Sequence, residues 1–294
     1  MSVKEIINEY RKRGHLFTKT NPVRERRQYF PDLNIENFGL SEDDLSTVFQ
    51  AGEQVNIGPA SLQEIIDHLE LTYCQSIGIE FMYMRRPDRV EWFRNKIEIK
   101  NRPVFNQDRK RKLYEILVKA HGFESFLGKK FVGQKRFSLE GGESLIPALD
   151  AIVEYGSTMD IKEFVIGMAH RGRLSVLANI FKKPYKLVFK EFEGKGYENE
   201  EFDGDVKYHL GYSYDVTADS GKDVSMCLVP NPSHLETVGS VMQGISRAKI
   251  NHKYGGESSK LLPIIIHGDA AVSGQGLVYE IVQMAQLPAY KTGG

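Results

Sequence analysis

Imidazole, guanidinium and carboxylate side chains follow three short apolar runs in this sequence. The runs are residues 164–168, 224–229 and 262–266, and the polar groups that come after them include His170, Arg171, Ser233, His234 and Asp269. Imidazoles exchange protons, and a guanidinium can donate two parallel hydrogen bonds to a phosphate or carboxylate. One carboxylate suits a Mg²⁺ ion whose other ligands are diphosphate oxygens and water. In combination these groups suit a dianionic, phosphate-bearing ligand.

The elements that the sequence predicts would bring these groups together. Beyond residue 140, short apolar runs alternate with helical patterns, which is typical of βαβ units and a parallel sheet covered on both faces. Ligands collect at the carboxyl ends of strands in such sheets. Apolar residues at helical spacing dominate the earlier part of the chain instead. The predicted fold class is therefore α/β, with a helical N-terminal region (1–135) followed by a parallel-sheet domain with flanking helices (136–294).

Three serines stand at predicted helix starts. Ser41 and Ser61 each precede acidic residues at capping positions, and Ser233 with Glu236 forms a capping-box pattern ahead of a helix predicted over residues 235–250. The last pattern would point backbone N–H groups and the positive end of a helix dipole at the sheet edge, where they favour an anion. Taken alone, the pattern favours the simpler interpretation of a well-capped helix without a ligand.

Each candidate residue also has a purely structural interpretation. Gly268-Asp269 after a strand is often only a turn, surface arginines are common, and a histidine such as His209 is more often a satisfied structural group. The expected convergence on one sheet edge is what favours a binding site. A zinc hydrolase is disfavoured because the sequence has no H-E-x-x-H or Cys/His cluster, and a serine hydrolase because it has no G-x-S-x-G elbow.

Composition excludes several other classes. Lys and Arg number 39, as do Asp and Glu, so no net charge points to nucleic acid or an anionic membrane. No apolar run is long enough for a membrane span, and Cys74 and Cys227 fit reduced thiols. These features and the N-terminal residues favour a bacterial cytoplasm, or the mitochondrial matrix if the source is eukaryotic.

Charge is nevertheless uneven along the chain. Residues 85–112 hold 11 basic and 4 acidic residues, whereas residues 191–205 hold 7 acidic residues and one lysine. Solvated helix faces and an acidic surface loop explain these segments best. For the basic stretch, the side chains of Trp92, Phe93, Ile97, Leu113 and Leu117 are expected to form an ordinary buried face. A protein-docking patch is the second interpretation.

Five motifs, in the same order, resemble those of the decarboxylating first component of 2-oxoglutarate dehydrogenase complexes, a thiamine diphosphate family. They are residues 135–143 (KRFSLEGGE), 167–174 (GMAHRGRL), 204–211 (GDVKYHLG), 231–236 (NPSHLE) and 266–271 (IHGDAA). The helical region over residues 10–130 is also similar to the helical segment that precedes the diphosphate-binding domain in this family. The resemblance implies that residues 136–294 are the first part of such a domain.

The resemblance also implies roles for individual residues, with thiamine diphosphate and Mg²⁺ as cofactors. Asp269 would ligate the Mg²⁺ ion that holds the diphosphate. The other implied coenzyme contacts are Arg171, Ser233, His234, Leu235, Ala270 and Ala271. The histidines implied to orient the 2-oxo acid and to stabilise developing oxyanion charge are His170, His209 and His234.

The implied reaction is the oxidative decarboxylation of 2-oxoglutarate in the tricarboxylic acid cycle. The coenzyme would carry the chemistry, and the acyl unit would pass to a lipoyl group on a succinyltransferase partner. The resemblance implies a homodimer for the complete protein, and neither a nucleic acid nor a membrane is expected as a partner.

In this family an Asn-Asn segment after the next strand completes the magnesium site, and a pyrimidine-binding domain supplies the activating glutamate and a further histidine. No Asn follows Asn251 in this sequence. We therefore expect an N-terminal fragment that carries part of the cofactor site, binds the cofactors weakly or not at all, and is inactive alone.

Two alternatives stay open. A related 2-oxoadipate dehydrogenase, or a 2-oxoglutarate decarboxylase that releases a semialdehyde, would share these motifs. A non-catalytic protein-binding module, docking a partner through residues 85–112, belongs to a different class of function.

Overall fold

A computed structural model of the chain describes residues 3–21, 23–24, 31–99, 104–193 and 207–293. The chain divides into two compact units, Met1–Val104 and Phe105–Gly294. None of the described helices is long and apolar enough to cross a bilayer.

The first unit is mainly helical. Its elements are α1 (Val3–Arg13), β1 (Val48–Phe49), β2 (Ala60–Ser61), α2 (Leu62–Tyr73) and α3 (Pro87–Ile97), and β1 pairs antiparallel with β2. The apolar side chains spaced for one face of α1 and α2 are buried, as their periodicity predicts: Val3, Ile6, Ile7, Tyr10, Leu62, Ile65, Leu69 and Tyr73.

The predicted cap of α2 is confirmed. The Ser61 hydroxyl accepts the Glu64 backbone N–H at 3.3 Å, and the Ser61 backbone N–H donates to the Glu64 carboxylate at 2.8 Å. Ser41 also forms a reciprocal cap, but only of a three-residue 3-10 turn, Glu42–Asp44. The next element along the chain is β1 rather than an α-helix, so the helix start predicted at Ser41 was wrong.

A buried ion pair crosses the first unit. Glu98 is fully buried, and its carboxylate accepts Arg11 Nε at 2.6 Å, Arg11 Nη2 at 2.8 Å and the Tyr73 hydroxyl at 2.5 Å. Burial and the neighbouring carboxylate raise the pKa of Tyr73 well above its usual range. The phenol therefore stays protonated and donates a hydrogen bond to Glu98.

The second unit contains the remaining elements. They are α4 (Gln107–Lys130), α5 (Leu145–Thr158), β3 (Glu163–Met168), α6 (Arg173–Asn179), α7 (Tyr185–Phe192), β4 (Tyr212–Thr217), β5 (Asp223–Leu228), α8 (Thr237–Lys253), β6 (Leu261–Ile266), α9 (Asp269–Gly274) and α10 (Gly276–Met284). The predicted boundary at residue 135 differs from this division, because α4 packs on α5 and α6 within the second unit.

The sheet of this unit has the strand order β4-β5-β3-β6. β5 and β6 pair in parallel with β3, so the three predicted strands and their parallel arrangement are confirmed. β4 pairs antiparallel with β5 and was not predicted. Its side chains alternate between partly buried and exposed, so the sequence there lacks the continuous apolar run of the other three strands.

Helices cover both faces of the sheet, as expected. Phe164, Ile166 and Met168 of β3 face a core shared with α4 to α7, whereas Val165 packs with Val238 and other α8 side chains on the opposite face. The alternation of strand side chains thus divides β3 between two apolar layers. This packing fixes the position of the strand's carboxyl end.

The two charged segments are only partly described. Residues 100–103 of the basic stretch and 194–205 of the acidic segment lie outside the described residues. Phe93, Ile97 and Leu113 are partly buried, but Trp92 is 57% and Leu117 37% exposed, so the prediction that both are buried was wrong. Both side chains lie on the outer faces of their helices.

Both thiols, Cys74 and Cys227, are free, which agrees with the expected reduced state.

Candidate functional site

The carboxyl ends of β3, β5 and β6 lie at one edge of the sheet because these strands are parallel. Residues 169–173, 229–236 and 267–269 leave the sheet at this edge. The described residues just before β4 reach the same edge, since β4 is antiparallel and its first residue, Tyr212, pairs with Leu228 at the end of β5. Four of the five motifs therefore meet here, although residues 204–206 of one motif lie outside the described residues.

Arg173 connects three of these segments. Its side chain is fully buried, and its guanidinium donates to the carbonyl oxygens of Leu210 at 2.8 Å, Val229 at 2.7 Å and Met168 at 3.4 Å. Burial lowers the pKa of Arg173 to about 10, which still leaves it charged at neutral pH. The sequence pointed to two arginines after β3 without showing that this one has a structural role.

His170 lies in an aromatic cluster next to that arginine. Its ring centroid is 5.2 Å from Phe137, 5.6 Å from Tyr208 and 5.4 Å from His209. Its Nε2 is buried and has no hydrogen-bond partner among the described residues. Burial is the main cause that lowers the pKa of His170, and the nearby His209 and Arg173 add to it. The ring therefore favours the neutral form.

His209 connects this cluster to the loop between β5 and α8. Its Nε2 is 2.9 Å from the Ser233 hydroxyl, and its backbone carbonyl accepts the Asn231 N–H at 3.0 Å. The predicted convergence of His170, His209 and Ser233 is thus present in the structure. Which of the two side chains donates depends on the tautomer of His209.

His234 and Leu235 are exposed on the same loop, with Leu235 56% exposed. No hydrogen bond, ion pair or ring contact joins His234 to His170 or His209 within the described ranges. The third predicted histidine is therefore near the site in sequence but is not part of the ring cluster.

The predicted capping box at Ser233 and Glu236 was wrong. α8 begins at Thr237, and Glu236 itself is the N-cap residue, in the left-handed region with φ 66°. The Ser233 hydroxyl contacts His209, while the Glu236 carboxylate lies 2.5 Å from His267 Nδ1. Both capping side chains are thus engaged by histidines from other segments. The capping pattern is local, so it could not show these longer-range contacts.

Asp269 is the first residue of α9, directly after Gly268 at the end of β6. It is exposed, and its carboxylate makes no hydrogen bond or ion pair with another described residue. Ala270, also exposed, and the partly buried Ala271 follow in the same short helix. Across the described ranges, no three or more His, Cys, Asp or Glu side chains form a group that could hold a metal ion. Asp269 therefore offers a single carboxylate.

Arg171 is exposed and donates to the Ser138 carbonyl at 2.8 Å, while the Gly172 N–H donates to the Phe137 carbonyl at 2.9 Å. These bonds attach the 135–143 motif to the end of β3. Gly172 has φ 78°, and a Cβ at this position would lie 2.7 Å from Leu139 Cδ1, so both conformation and space require glycine.

Among the described residues, the assembled edge offers a buried imidazole nitrogen without a hydrogen-bond partner, two further histidines in hydrogen bonds, an exposed carboxylate and an exposed guanidinium. Such groups can bind an anionic, oxygen-rich ligand and hold protons beside it.

The amino-acid sequence is similar to a known protein family and to several of its members. Residues 117–292 match the family model described as "Dehydrogenase E1 component". The chain is 43% identical, over its full length, to the 2-oxoglutarate dehydrogenase E1 component of Azotobacter vinelandii and covers 31% of that protein. It is 42% identical to the protein of the same name from Cupriavidus necator (99% of this chain, 31% of that protein) and 38% identical to mitochondrial 2-oxoglutarate dehydrogenase of Saccharomyces cerevisiae (100% and 30%). The chain therefore belongs to the dehydrogenase E1 component family.

Proposed function

We propose that this chain forms the diphosphate-binding part of a thiamine-diphosphate-dependent E1 component that decarboxylates 2-oxoglutarate. Family membership and the names of the relatives support the reaction class and substrate. The chain spans about 31% of the length of those relatives, so the activity is proposed for the whole protein. The observation that carries the proposal is the meeting of four motif segments at one sheet edge around the Nε2 of His170, which has no hydrogen-bond partner among the described residues.

The residues at this edge fit part of the cofactor site. Mg²⁺ keeps several waters and uses one or two carboxylates together with substrate phosphates, so the exposed carboxylate of Asp269 suits one ligand position. The first turn of α8 presents backbone N–H groups at the same edge, next to Ser233. Further metal ligands would come from outside the described residues.

When bound, thiamine diphosphate supplies a carbon nucleophile for the keto carbon and an acceptor for the electron pair released with CO₂. Asp269 would hold the metal ion, with Ala270 and Ala271 in the same turn. Ser233, His234 and Leu235 would lie along the coenzyme, and Arg171 would contact coenzyme or substrate.

The aromatic cluster gives His170 its proposed task. Because its lowered pKa keeps the ring neutral, the buried Nε2 can donate to or accept from one oxygen of the 2-oxo acid. His209, held by Ser233, would orient the other end of the substrate. His234, on the exposed loop, would help to orient the 2-oxo acid and to stabilise developing oxyanion charge.

The proposed partners follow from the same family. They are a lipoyl-bearing succinyltransferase that takes the acyl group, in the tricarboxylic acid cycle, and a second copy of the whole protein in a homodimer. We propose a bacterial cytoplasmic location, with no nucleic-acid or membrane partner.

The chain by itself provides a first test. We expect calorimetric titration with thiamine diphosphate and Mg²⁺ to show binding weaker than micromolar, and no CO₂ release from 2-oxoglutarate. Micromolar binding or turnover by the isolated chain would contradict the idea that the site needs further ligands.

A hybrid protein provides the second test. Residues 1–294 replace the matching third of the Azotobacter vinelandii relative, and CO₂ release is measured with 2-oxoglutarate and 2-oxoadipate. We expect preference for 2-oxoglutarate and a loss on the order of 100-fold in Asp269→Ala, with a raised Mg²⁺ requirement. Asp215→Ala, at an exposed carboxylate in the middle of β4, is the matched control. Preference for 2-oxoadipate would refute the substrate, and full activity of Asp269→Ala would refute the metal assignment.

A further inference from the structure

Phe137 has a backbone conformation that its residue type disfavours. Its φ is 42°, in the left-handed region, where a bulky side chain is a rare exception. Its ring centroid lies 5.2 Å from that of His170 and 4.9 Å from that of Tyr208. Such strained residues persist where surrounding contacts hold them, and they cluster at functional sites. The contacts that hold Phe137 therefore also determine the surroundings of the His170 ring.

Some of these contacts come from the sheet edge. The Phe137 carbonyl accepts the Gly172 N–H, and the Tyr208 hydroxyl donates to the carbonyl of Lys135. Both bonds act on the backbone at or before Phe137. A turn is fixed only when the chain is also held after it, and there the Ser138 carbonyl accepts the exposed guanidinium of Arg171. A bond that competes with water in this way contributes little on its own.

A buried carboxylate of α4 supplies a firmer anchor after Phe137. Glu124 is 2% exposed, and its Oε1 accepts the Leu139 backbone N–H at 3.0 Å. A hydrogen bond to a carboxylate is strengthened by shielding from water. The Arg136 guanidinium lies 3.6 Å from Glu124 Oε2 and also donates to the Glu124 carbonyl at 3.3 Å. Glu124 thus binds the 135–143 motif on both sides of Phe137.

The burial of Glu124 is consistent with such a task. Glutamate is almost never fully buried unless it is paired. Burial raises the pKa of Glu124, while the Leu139 N–H and the charge of Arg136 oppose that change. The bond to Leu139 survives either protonation state, because a protonated carboxyl group keeps an oxygen that accepts. The acceptor oxygen therefore matters more than the charge.

We propose that Glu124 is a positioning residue, which holds the 135–143 motif through the Leu139 N–H so that Phe137 stays against His170 and shields its ring from water. Glu124 lies outside the five motifs and acts on the site only through this segment. The use of His170 in decarboxylation rests on the proposed function. The arrangement of the Phe137 and His170 rings does not, so it can be tested in this chain without any coenzyme.

The variant Glu124→Met removes both carboxylate oxygens at a similar side-chain volume. We expect Phe137 to leave the imidazole, which NMR detects as the loss of the nuclear Overhauser effect between the two rings. The pKa of His170 should rise towards 6.5, because water then reaches the ring. The His170 signal is assigned from its loss in His170→Gln.

The direction of this pKa change is diagnostic. The charged and titratable groups beside His170 are His209, Arg173 and Tyr208, and all three remain in the variant. Loss of the negative charge of Glu124 would by itself lower the pKa of His170, because a nearby anion favours the protonated ring. A persisting Overhauser effect, or a pKa of His170 that stays or falls, would overturn the proposal.

A conservative variant separates the hydrogen bond from the charge. Glu124→Gln keeps an oxygen for the Leu139 N–H, so we expect it to retain the contact between the rings and the lowered pKa of His170. If Glu124→Met does not fold, Glu124→Ala replaces it, since its smaller side chain lets water reach the Leu139 N–H. A Gln variant that behaves like the Met or Ala variant would refute the role of the accepted N–H.

Glu163→Met is the matched control. Glu163 is also a buried glutamate, 1% exposed, but it lies at the first residue of β3, at the opposite end of the strand from His170. Its carboxylate accepts hydrogen bonds from two lysines and a tyrosine. We expect this variant to be less stable and to leave the His170 signals unchanged. Equal changes of the His170 signals in both Met variants would indicate general loosening and contradict the positioning role.

The hybrid enzyme tests the consequence for the reaction. Glu124→Met should lower kcat on the order of 10- to 100-fold, because a displaced catalytic group loses its alignment, whereas Glu124→Gln should retain most of the activity. Unchanged kcat in Glu124→Met would refute the link to the reaction. A hybrid that is inactive before any substitution contradicts the proposed function instead, and the NMR measurements still decide whether Glu124 positions Phe137.

Discussion

The ring centroids of His170 and His209 lie 5.4 Å apart, one ring following β3 and the other in the loop before β4. Two protonated imidazoles at this distance would repel each other. Burial is nevertheless the largest cause that lowers the pKa of His170 below its ordinary 6.5, and the charge of His209 comes second. The neutral His170 ring is thus a product of its surroundings.

The first prediction concerns the pKa of His170. NMR titration should place it below 6.5 in the folded chain, and at about 6.5 in urea. His209→Gln should raise it without restoring 6.5, because burial remains. A pKa of His170 that does not change in His209→Gln would contradict the coupling of the two rings.

The second prediction is the effect on stability. The pKa of His170 is lowered by folding, so as the pH falls through 6.5 the unfolded chain takes up the proton first. The free energy of unfolding should therefore decrease between pH 7 and lower pH, with a contribution from His170 of at most about 1.4 kcal/mol per pH unit. Urea unfolding of His170→Gln should show a flatter dependence. Equal slopes for the two proteins would show that His170 does not contribute.

The third prediction is that Arg173→Met destabilises the second unit by about 2–4 kcal/mol. The change leaves the carbonyls of Leu210 and Val229 without the guanidinium that binds them at 2.8 and 2.7 Å. Arg171→Met is the control, since this exposed side chain has one carbonyl contact and should cost less than about 1 kcal/mol. Urea unfolding followed by circular dichroism measures both. Equal losses would refute the connecting role of Arg173.

The sequence predicted the sheet where local signals are strong. The runs that became β3 and β6 are continuous and apolar, because helices cover both of their faces. β5 is apolar at its buried alternate positions and at Cys227. Such runs can be recognised in one sequence without an alignment. β4 escaped prediction because an edge strand with exposed alternate residues resembles a polar loop. The position of His170 and Ser233 at the carboxyl edge followed from the parallel strands, whereas His209 reaches this edge because it precedes the antiparallel β4.

The site details depend on contacts between distant segments. Ser233 and Glu236 have the spacing of a capping box, yet each side chain binds a histidine from another segment. Nothing in residues 170–174 distinguishes the exposed Arg171 from the buried Arg173, because burial depends on where three carbonyls meet. Residue type and spacing predicted which side chains lie at the carboxyl edge but not which atoms pair.

The fourth prediction concerns the buried pair in the first unit. Arg11→Met leaves the fully buried Glu98 carboxylate with only the more distant Arg94 guanidinium, at 3.8 Å, and should cost about 3–5 kcal/mol. Adding Glu98→Gln should recover part of this loss, so the double variant is more stable than the sum of the single changes predicts. Trp92 is the only tryptophan of the chain and lies in this unit, so its fluorescence follows the transition. Simple additivity would show that the pair is not coupled.

The last prediction separates two reasons for glycine at the end of β3. Gly172 and Gly133 have nearly the same backbone, φ 78° and φ 79°, but a Cβ on Gly172 would lie 2.7 Å from Leu139 Cδ1, whereas a Cβ on Gly133 meets nothing within 4 Å. Gly133→Ala should therefore cost only the left-handed conformation, about 1–2 kcal/mol. Gly172→Ala should cost about 1–3 kcal/mol more, because Leu139 must move and carry the 135–143 motif with it. Urea unfolding gives both values, and the His170 NMR signal should shift only in Gly172→Ala, since Phe137 of that motif contacts its ring. Equal losses would show that Leu139 relaxes freely and that the motif is not held against the end of β3.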